Sequence, residues 1–307
     1  MGSRAIFVVM VLVVGFAAPV MAQEDSVETL LEQQKALEAD GGLKPTATPS
    51  QVSGDPEGTI GSQPYLFVAV DEITEYTNAV DIGDNAFTQL FTGYDPWGAA
   101  MIPGASPGDA VIFFVSGTEL WRWQSGAPVL CCNVTYQGAN QSMVGVAYNI
   151  SGEQLLMSRN VATEAIYSLL VPGGACPASC EMIQAIVYNP DENDFGGLAF
   201  NVNLGHLYGT NDDATPGPAG VYRILPDGTT SLVVAYPAGQ TDIDGLAYGD
   251  GKLYLVTDEP GDIYVYDIAG AAFDPPLTNP WTTSEIFSAG AYGAGLIPVE
   301  LQSLSVE

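Results

Sequence analysis

Asp244-Gly245-Leu246-Ala247-Tyr248-Gly249-Asp250-Gly251-Lys252-Leu253-Tyr254-Leu255-Val256-Thr257-Asp258 reads as two short strands joined by a tight turn. Gly245 to Tyr248 runs small, apolar, small, aromatic; Gly249-Asp250-Gly251 is turn chemistry; Lys252 to Thr257 is a second apolar strand. The meander then continues through Asp262 to Asp267, a long insertion carrying Pro275 and Pro276, and a fourth strand predicted over Ser284 to Ser288. Such a four-stranded sheet cannot bury both of its faces alone.

Working outward, the opening phrase recurs as Gly145-Val146-Ala147-Tyr148 and Gly197-Leu198-Ala199-Phe200, with looser copies at Gly98-Ala99-Ala100-Met101 and Gly295-Leu296-Ile297-Pro298. The spacing is about 50 residues each time, room for four short strands and their turns. In the Gly197 repeat these are Leu207 to Thr210, Val221 to Leu225 and Ser231 to Tyr236 after the marker strand. Packing such sheets radially around an axis buries both faces, which predicts an all-β fold, a β-propeller. Gly295 to Val299 supplies an innermost strand with nothing after it. Tyr65 to Val70, Ile73 to Ala79 and Phe87 to Phe91 supply three strands with no innermost strand before them. Joined, the two ends make one blade and close a five-bladed ring; a six-bladed ring with a degenerate blade and an open β-sandwich are the alternatives.

The chain has 307 residues, 47% of them apolar and 14% charged, with 35 Gly and 21 Pro, a turn-rich composition that excludes a disordered body or a helical repeat. Seven Lys and Arg stand against 36 Asp and Glu, a net charge of −29 that excludes charge-driven binding to nucleic acid or an anionic membrane. Residues 1–22 read as a signal peptide: Arg4, an apolar run from Ala5 to Val20, and Val20-Met21-Ala22 before polar Gln23. That run is shorter than a membrane span requires, so the product is expected to be secreted or periplasmic, with no span once the leader is removed. Residues 23–40 are predicted as a short helix, either a tail or an element that docks on a partner. Residues 41–64 are a linker, and 65–307 the propeller. Cys131, Cys132, Cys176 and Cys180 suit two disulfides in an exported chain. Adjacent strand residues face opposite ways, which favours joining Cys131 and Cys132 to Cys176 and Cys180. A local pairing within each couple and a zinc site are the alternatives.

In a propeller, the loops entering each innermost strand and those leaving each second strand gather at one end of the axis. Asp95, Asp194 and Asp242 stand three residues before a marker glycine, with Ser142 and Tyr292 in the other repeats. Asp71, Asp212 and Asp258 close second strands, with Asn160 in a fourth. Gathered carboxylates raise one another's proton affinity unless a cation intervenes, and calcium, with six to eight oxygen ligands at flexible geometry, is the candidate ion. An Asp before Gly also forms turns with its own backbone, and acids favour solubility across a whole surface, so the repeated Asp has a bland reading as well. His206 reads as an exposed turn residue, and any Ser-His-Asp scheme depends on it. A glycosidase pair of carboxylates is not distinguished, and the glycines lie in β-turns, not phosphate loops. Trp121 and Trp123 share one strand face and are expected to wedge between blades, with Arg122 opposite; Trp97, beside Tyr94, is the better ligand candidate.

Asp244 to Asp258, followed by Ile263-Tyr264-Val265-Tyr266-Asp267, resembles a blade of the gluconolactonase and regucalcin-like, strictosidine-synthase-like and NHL-type propellers. The resemblance covers about 30 residues well and implies the fold. It also implies a cation site at Asp95, Asp244 and Asp258, with Asp where the gluconolactonase family has Glu and Asn at the first two, and with six blades usual in that family. The resulting expectation is an exported, monomeric, non-catalytic propeller. It binds a small molecule, glycan or protein at an acidic mouth, with Asp95, Asp194, Asp244 and Asp258 as cation ligands and Asp71, Asp212, Asp242, Asn160 and Trp97 as ligand contacts. The alternatives are a divalent-metal-dependent hydrolase of lactones or esters, in which the cation polarises a carbonyl and activates water, and a structural or adhesive surface protein.

Overall fold

The computed structural model describes residues 64–70, 76–102, 110–159, 165–188, 194–212, 217–257, 262–278 and 288–294. The leader, the helix expected at 23–40 and the linker to residue 63 lie outside these, as do Asp71, Asn160, Asp258 and the strand expected at Gly295 to Val299. Among the described residues no helix is long and apolar enough to cross a membrane.

In chain order the strands are β1 (Pro64–Val70), β2 (Tyr76–Asp81), β3 (Phe87–Thr92), β4 (Gly98–Ile102), β5 (Val111–Ser116), β6 (Glu119–Trp123) and β7 (Val129–Asn133). The small pair β8 (Thr135–Tyr136) and β9 (Ala139–Asn140) comes next, then β10 (Met143–Asn149), β11 (Gln154–Arg159), β12 (Ala165–Leu170) and β13 (Ile183–Val187). After these come β14 (Phe195–Asn201), β15 (His206–Asn211), β16 (Gly220–Ile224), β17 (Thr230–Ala235), β18 (Gly245–Gly249), β19 (Lys252–Val256) and β20 (Asp262–Asp267). Two short strands, β21 (Ala272–Phe273) and β22 (Leu277–Thr278), precede the last, β23 (Ser288–Ala294).

These strands form five antiparallel meanders. The first blade is β4 to β7, the second β10 to β13, the third β14 to β17, and the fourth β18 to β20 with β21 and β22 both on β20. The fifth is β23-β1-β2-β3, in which β23 pairs with β1 from Pro64↔Ala294 to Val70↔Ser288. Innermost strands β4, β10, β14, β18 and β23 each touch the next, and β23 touches β4, so the ring closes. The core is correspondingly divided into five apolar clusters, one per blade interface. Phe113, Leu120, Met157 and Tyr167 lie between blades one and two, and Leu156, Phe195, Leu198 and Tyr222 between two and three. Tyr208, Leu246 and Leu255 lie between three and four, Leu66, Val256 and Ile263 between four and five, and Phe67, Phe114 and Ala289 between five and one. Interior strands such as β5 are therefore buried on both faces, whereas outer strands such as β7 are half-exposed. The chain is a five-bladed β-propeller.

The seam differs in detail from the expectation. The innermost strand of the fifth blade is Ser288–Ala294, upstream of Gly295, so Tyr292 is a strand residue and not part of an incoming loop. Tyr292 stacks on Tyr254 as Tyr248 stacks on Tyr208, which aligns Ala289-Gly290-Ala291-Tyr292 with Gly245 to Tyr248. Alanine in the marker position hid this copy. Ser288 accordingly begins β23, and the outer strand of blade four is the broken β21 and β22, interrupted by Pro275-Pro276, which cannot donate to a ladder. Pro64 belongs to β1, and β2 is described over Tyr76–Asp81, the expected start at Ile73 lying outside the described residues.

Two disulfides, Cys131–Cys176 and Cys132–Cys180, join β7 of blade one to the loop between β12 and β13 of blade two. Strict alternation cannot send adjacent side chains to one loop, but the register here shifts: Leu120 pairs with Cys132 and Trp121 with Leu130, which leaves Cys131 in a β-bulge that re-aims it. Closing loops of 45 and 48 residues, the first bridge to form stabilises by about 4 kcal/mol in the chain-entropy account. Trp123 is buried and Trp121 packs on the same cluster between blades five and one, while Arg122 points the other way and donates from Nε to the Gly174 carbonyl at 2.8 Å.

Candidate functional site

The marker glycines are a consequence of crowding at the axis. A Cβ on Gly98 would lie 2.1 Å from the Val144 carbonyl oxygen, on Gly145 2.0 Å from that of Gly196, and on Gly197 2.1 Å from that of Asp244. In each case the obstacle is backbone in, or immediately before, the next innermost strand. The same crowding closes the axis: the opening lined by Gly98, Val146, Gly197, Leu198, Asp244 and Gly290 is too narrow for a water molecule. Among the described residues the axis itself therefore has no room for a ligand. Asp244 is the only charged residue in that lining, and Gly196 leaves room for it, since a Cβ there would come within 2.8 Å of Asp244 Oδ1.

Asp244 marks the acidic end. It precedes β18, Asp242 lies two residues before it, and Asp212 follows β15 of the neighbouring blade; one carboxylate oxygen from each lies within 4.8 Å of the others. Asp244 is nearly buried and the other two are half-buried. Asp212 Oδ1 accepts hydrogen bonds from the Tyr236 hydroxyl at 2.7 Å and the Ile243 N–H at 3.2 Å. Burial pushes the Asp212 carboxyl up to about 7, Asp242 and Asp194 push in the same direction, and the bonds from Tyr236 and Ile243 oppose them. Burial, with the charge of Asp212 next, also drives the Tyr236 hydroxyl well above its ordinary range, so it remains a donor. Behind these, buried Thr210 accepts from the Gly197 N–H at 2.7 Å and buried Asn211 from the Asp194 N–H at 3.0 Å. Ser158 does for Gly145 what Thr210 does for Gly197.

Of the acids singled out in the sequence, Asp212, Asp242 and Asp244 come together, and Asp194 is near enough for its charge to act on Asp212. Asp95 does not join them: it accepts a hydrogen bond from Ser116 on the first blade. Trp97 is half-buried, and its backbone N–H donates to the Val115 carbonyl at 2.8 Å. His206 begins β15, whose other end leads to Asp212, about 20 Å from it at a strand's rise, which removes it from any triad with these acids. Tyr236 and Asn211 were not anticipated; the polar run Thr210-Asn211-Asp212 at the end of an apolar strand was the available signal.

The donor set fits a hard cation. Calcium takes six to eight oxygen ligands, and three carboxylates leave several of those positions for water or ligand. Asp212, Asp242 and Asp244 are the residues that could hold it.

No protein-family model matches the sequence, and no curated protein matches it. Solved structures similar in fold include a protein of unknown function from Bacteroides thetaiotaomicron, with 13% identity over 79% of this chain and 67% of that one and a TM-score of 0.49. Another is the nidogen–laminin complex, with 10% identity over 76% and 99% and a TM-score of 0.48. A gluconolactonase from Xanthomonas campestris has 16% identity over 73% and 78% and a TM-score of 0.43. The likeness is one of fold alone.

Proposed function

We propose that the propeller is an exported binding module that takes up calcium, or a cation like it, at Asp212, Asp242 and Asp244 and holds an oxygen-bearing small molecule, glycan or protein group at the same end of the ring. The observation that carries this reading is the convergence of three carboxylates from two adjacent blades, one oxygen of each within 4.8 Å of the others. Two disulfides suit the oxidising compartment that export implies. A bound cation would offset the burial, and with it the neighbouring charge of Asp242, that otherwise favours the protonated form of Asp212. Titration calorimetry with calcium on the full chain should show binding and a raised melting temperature, both lost in Asp244→Asn; no heat and no thermal shift would remove the site.

A second reading, divalent-metal-dependent hydrolysis of lactones or esters, is favoured by one feature, the Asp212 carboxyl titrating near neutrality, where a general base is most effective. Held by Asp242 and Asp244, with Asp212 left unligated, the ion would supply Lewis-acid polarisation of a carbonyl. Asp212 would then accept a proton from water, and the Tyr236 hydroxyl and Ile243 N–H would orient its carboxylate. Turnover of a lactone and ester panel that a chelator abolishes would replace the binding reading with this one.

A further inference from the structure

The two disulfides share a strand and a loop but not an environment. Cys176 is exposed and its partner Cys131 half-buried in the bulge, whereas Cys180 is 3% exposed within the cluster between blades one and two. The backbone around Cys180 is also pinned: the Thr135 N–H donates to the Cys180 carbonyl at 2.9 Å and the Met182 N–H to the Thr135 carbonyl at 2.8 Å. Glu181 accepts from the Gly138 N–H at 3.2 Å and from the Thr135 hydroxyl at 2.5 Å. On the Cys176 side, Pro172, Gly173, Ala175, Ala178 and Ser179 are all exposed, and the tethers near the start of the loop are Arg122 to the Gly174 carbonyl and the Gly173 N–H to Glu153.

We propose that Cys131–Cys176 is a redox-sensitive latch on the Pro172–Ser179 loop, opened by an extracellular thiol or an exported thiol–disulfide oxidoreductase, while Cys132–Cys180 stays closed as its hinge. A thiolate attacks the exposed Cys176 sulfur, forming a mixed disulfide and expelling the Cys131 thiolate, which takes a proton. A second thiolate attacks the reductant's sulfur in that mixed disulfide and releases the Cys176 thiolate. Two electrons thus pass from two thiols to the protein, and the reductant leaves as its own disulfide. Attack of the freed Cys131 thiolate on the Cys180 sulfur, which would expel Cys132, is opposed by the burial of Cys180, 3% exposed. Displacing Cys180 would join Cys131 to Cys132, whose Cα atoms, adjacent in the chain, are about 3.8 Å apart, closer than disulfides ordinarily span. The inner bridge has a Cα–Cα separation of 6.1 Å and keeps the loop's far end on blade one.

Graded reduction of the oxidised full chain with dithiothreitol, quenched by alkylation and mapped by peptide mass, tests the order. A form labelled at Cys131 and Cys176 alone should accumulate, and elastase should cleave it between residues 172 and 179 about tenfold faster than the oxidised chain, since cleavage follows the open population. The variant Cys131→Ser/Cys176→Ser should show that sensitivity without reductant. Simultaneous labelling of all four cysteines, earlier labelling of Cys132 and Cys180, or unchanged cleavage of the two-thiol form would overturn the latch.

Discussion

A buried carboxyl titrating near 7 couples folding to pH in the opposite sense to an ion-paired acid. Asp212 titrates near 3.8 when unfolded and at about 7 in the native ring, so between those values the folded state holds a proton that the unfolded state has lost. Its contribution to stability is complete below 3.8 and disappears as the pH rises through about 7. Three pKa units correspond to about 4 kcal/mol. Asp212→Asn keeps an acceptor for Tyr236 and Ile243 but carries no charge. In cation-free buffer it should be the more stable protein above pH 7, by up to about 4 kcal/mol, and should match the native chain at pH 4, by urea unfolding. Saturating calcium should reverse the order above pH 7 by stabilising only the native chain. Equal stabilities at pH 4 and pH 8 would show that Asp212 is ordinarily ionised. The acids were legible as repeat positions, because Asp212 closes a second strand and Asp242 precedes a marker glycine. Which of them meet was not, since that depends on side-chain direction: Asp95 occupies the same repeat position as Asp242 and turns to Ser116 instead.

At the scale of elements, the marker glycine was legible as punctuation but its cause was not. Its role is interblade contact, a relation between strands about 50 residues apart that spacing alone does not reveal. Gly197→Ala should therefore cost more than an ordinary strand substitution. The added carbon would lie 2.1 Å from the Asp244 carbonyl oxygen and 2.8 Å from the Leu246 nitrogen, rigid backbone that must shift. A loss of about 3 kcal/mol in urea unfolding is expected, with weaker calcium binding because the displaced residue is Asp244. Unchanged stability would mean that the innermost strands separate without cost. The interior strands followed the sequence closely, β20 to the residue, because an apolar run between turn residues admits little else. Outer strands were less legible: half-exposed, they tolerate the bulge at Cys131 and the proline break after Phe273.

Blade number is a property of the whole ring, and five came from the recurrence of one phrase, although the fifth copy taken from the sequence was not the strand that closes it. Ala289 and Ala291 pack in the interface between blades five and one, and Tyr292 packs in that between four and five, so β23 serves two of the five clusters as well as the edge of β1. Deleting residues 288–307 should open the seam at all three places and abolish cooperative thermal unfolding. A chain ending at Ala294 retains every pair from Pro64↔Ala294 to Val70↔Ser288 and should melt within about 4 °C of the full chain, the shift that a change of 1 kcal/mol produces in a domain of this size. The two truncations separate the alternatives for closure. If the shorter chain melts like the longer, pairing of the ends is dispensable. If both lose the transition, the strand that seals the ring lies beyond Ala294, where the Gly295 phrase had placed it. Low ionic strength should sharpen the comparison, because a net charge of −29 is least screened there and an unsealed ring has least to oppose its self-repulsion.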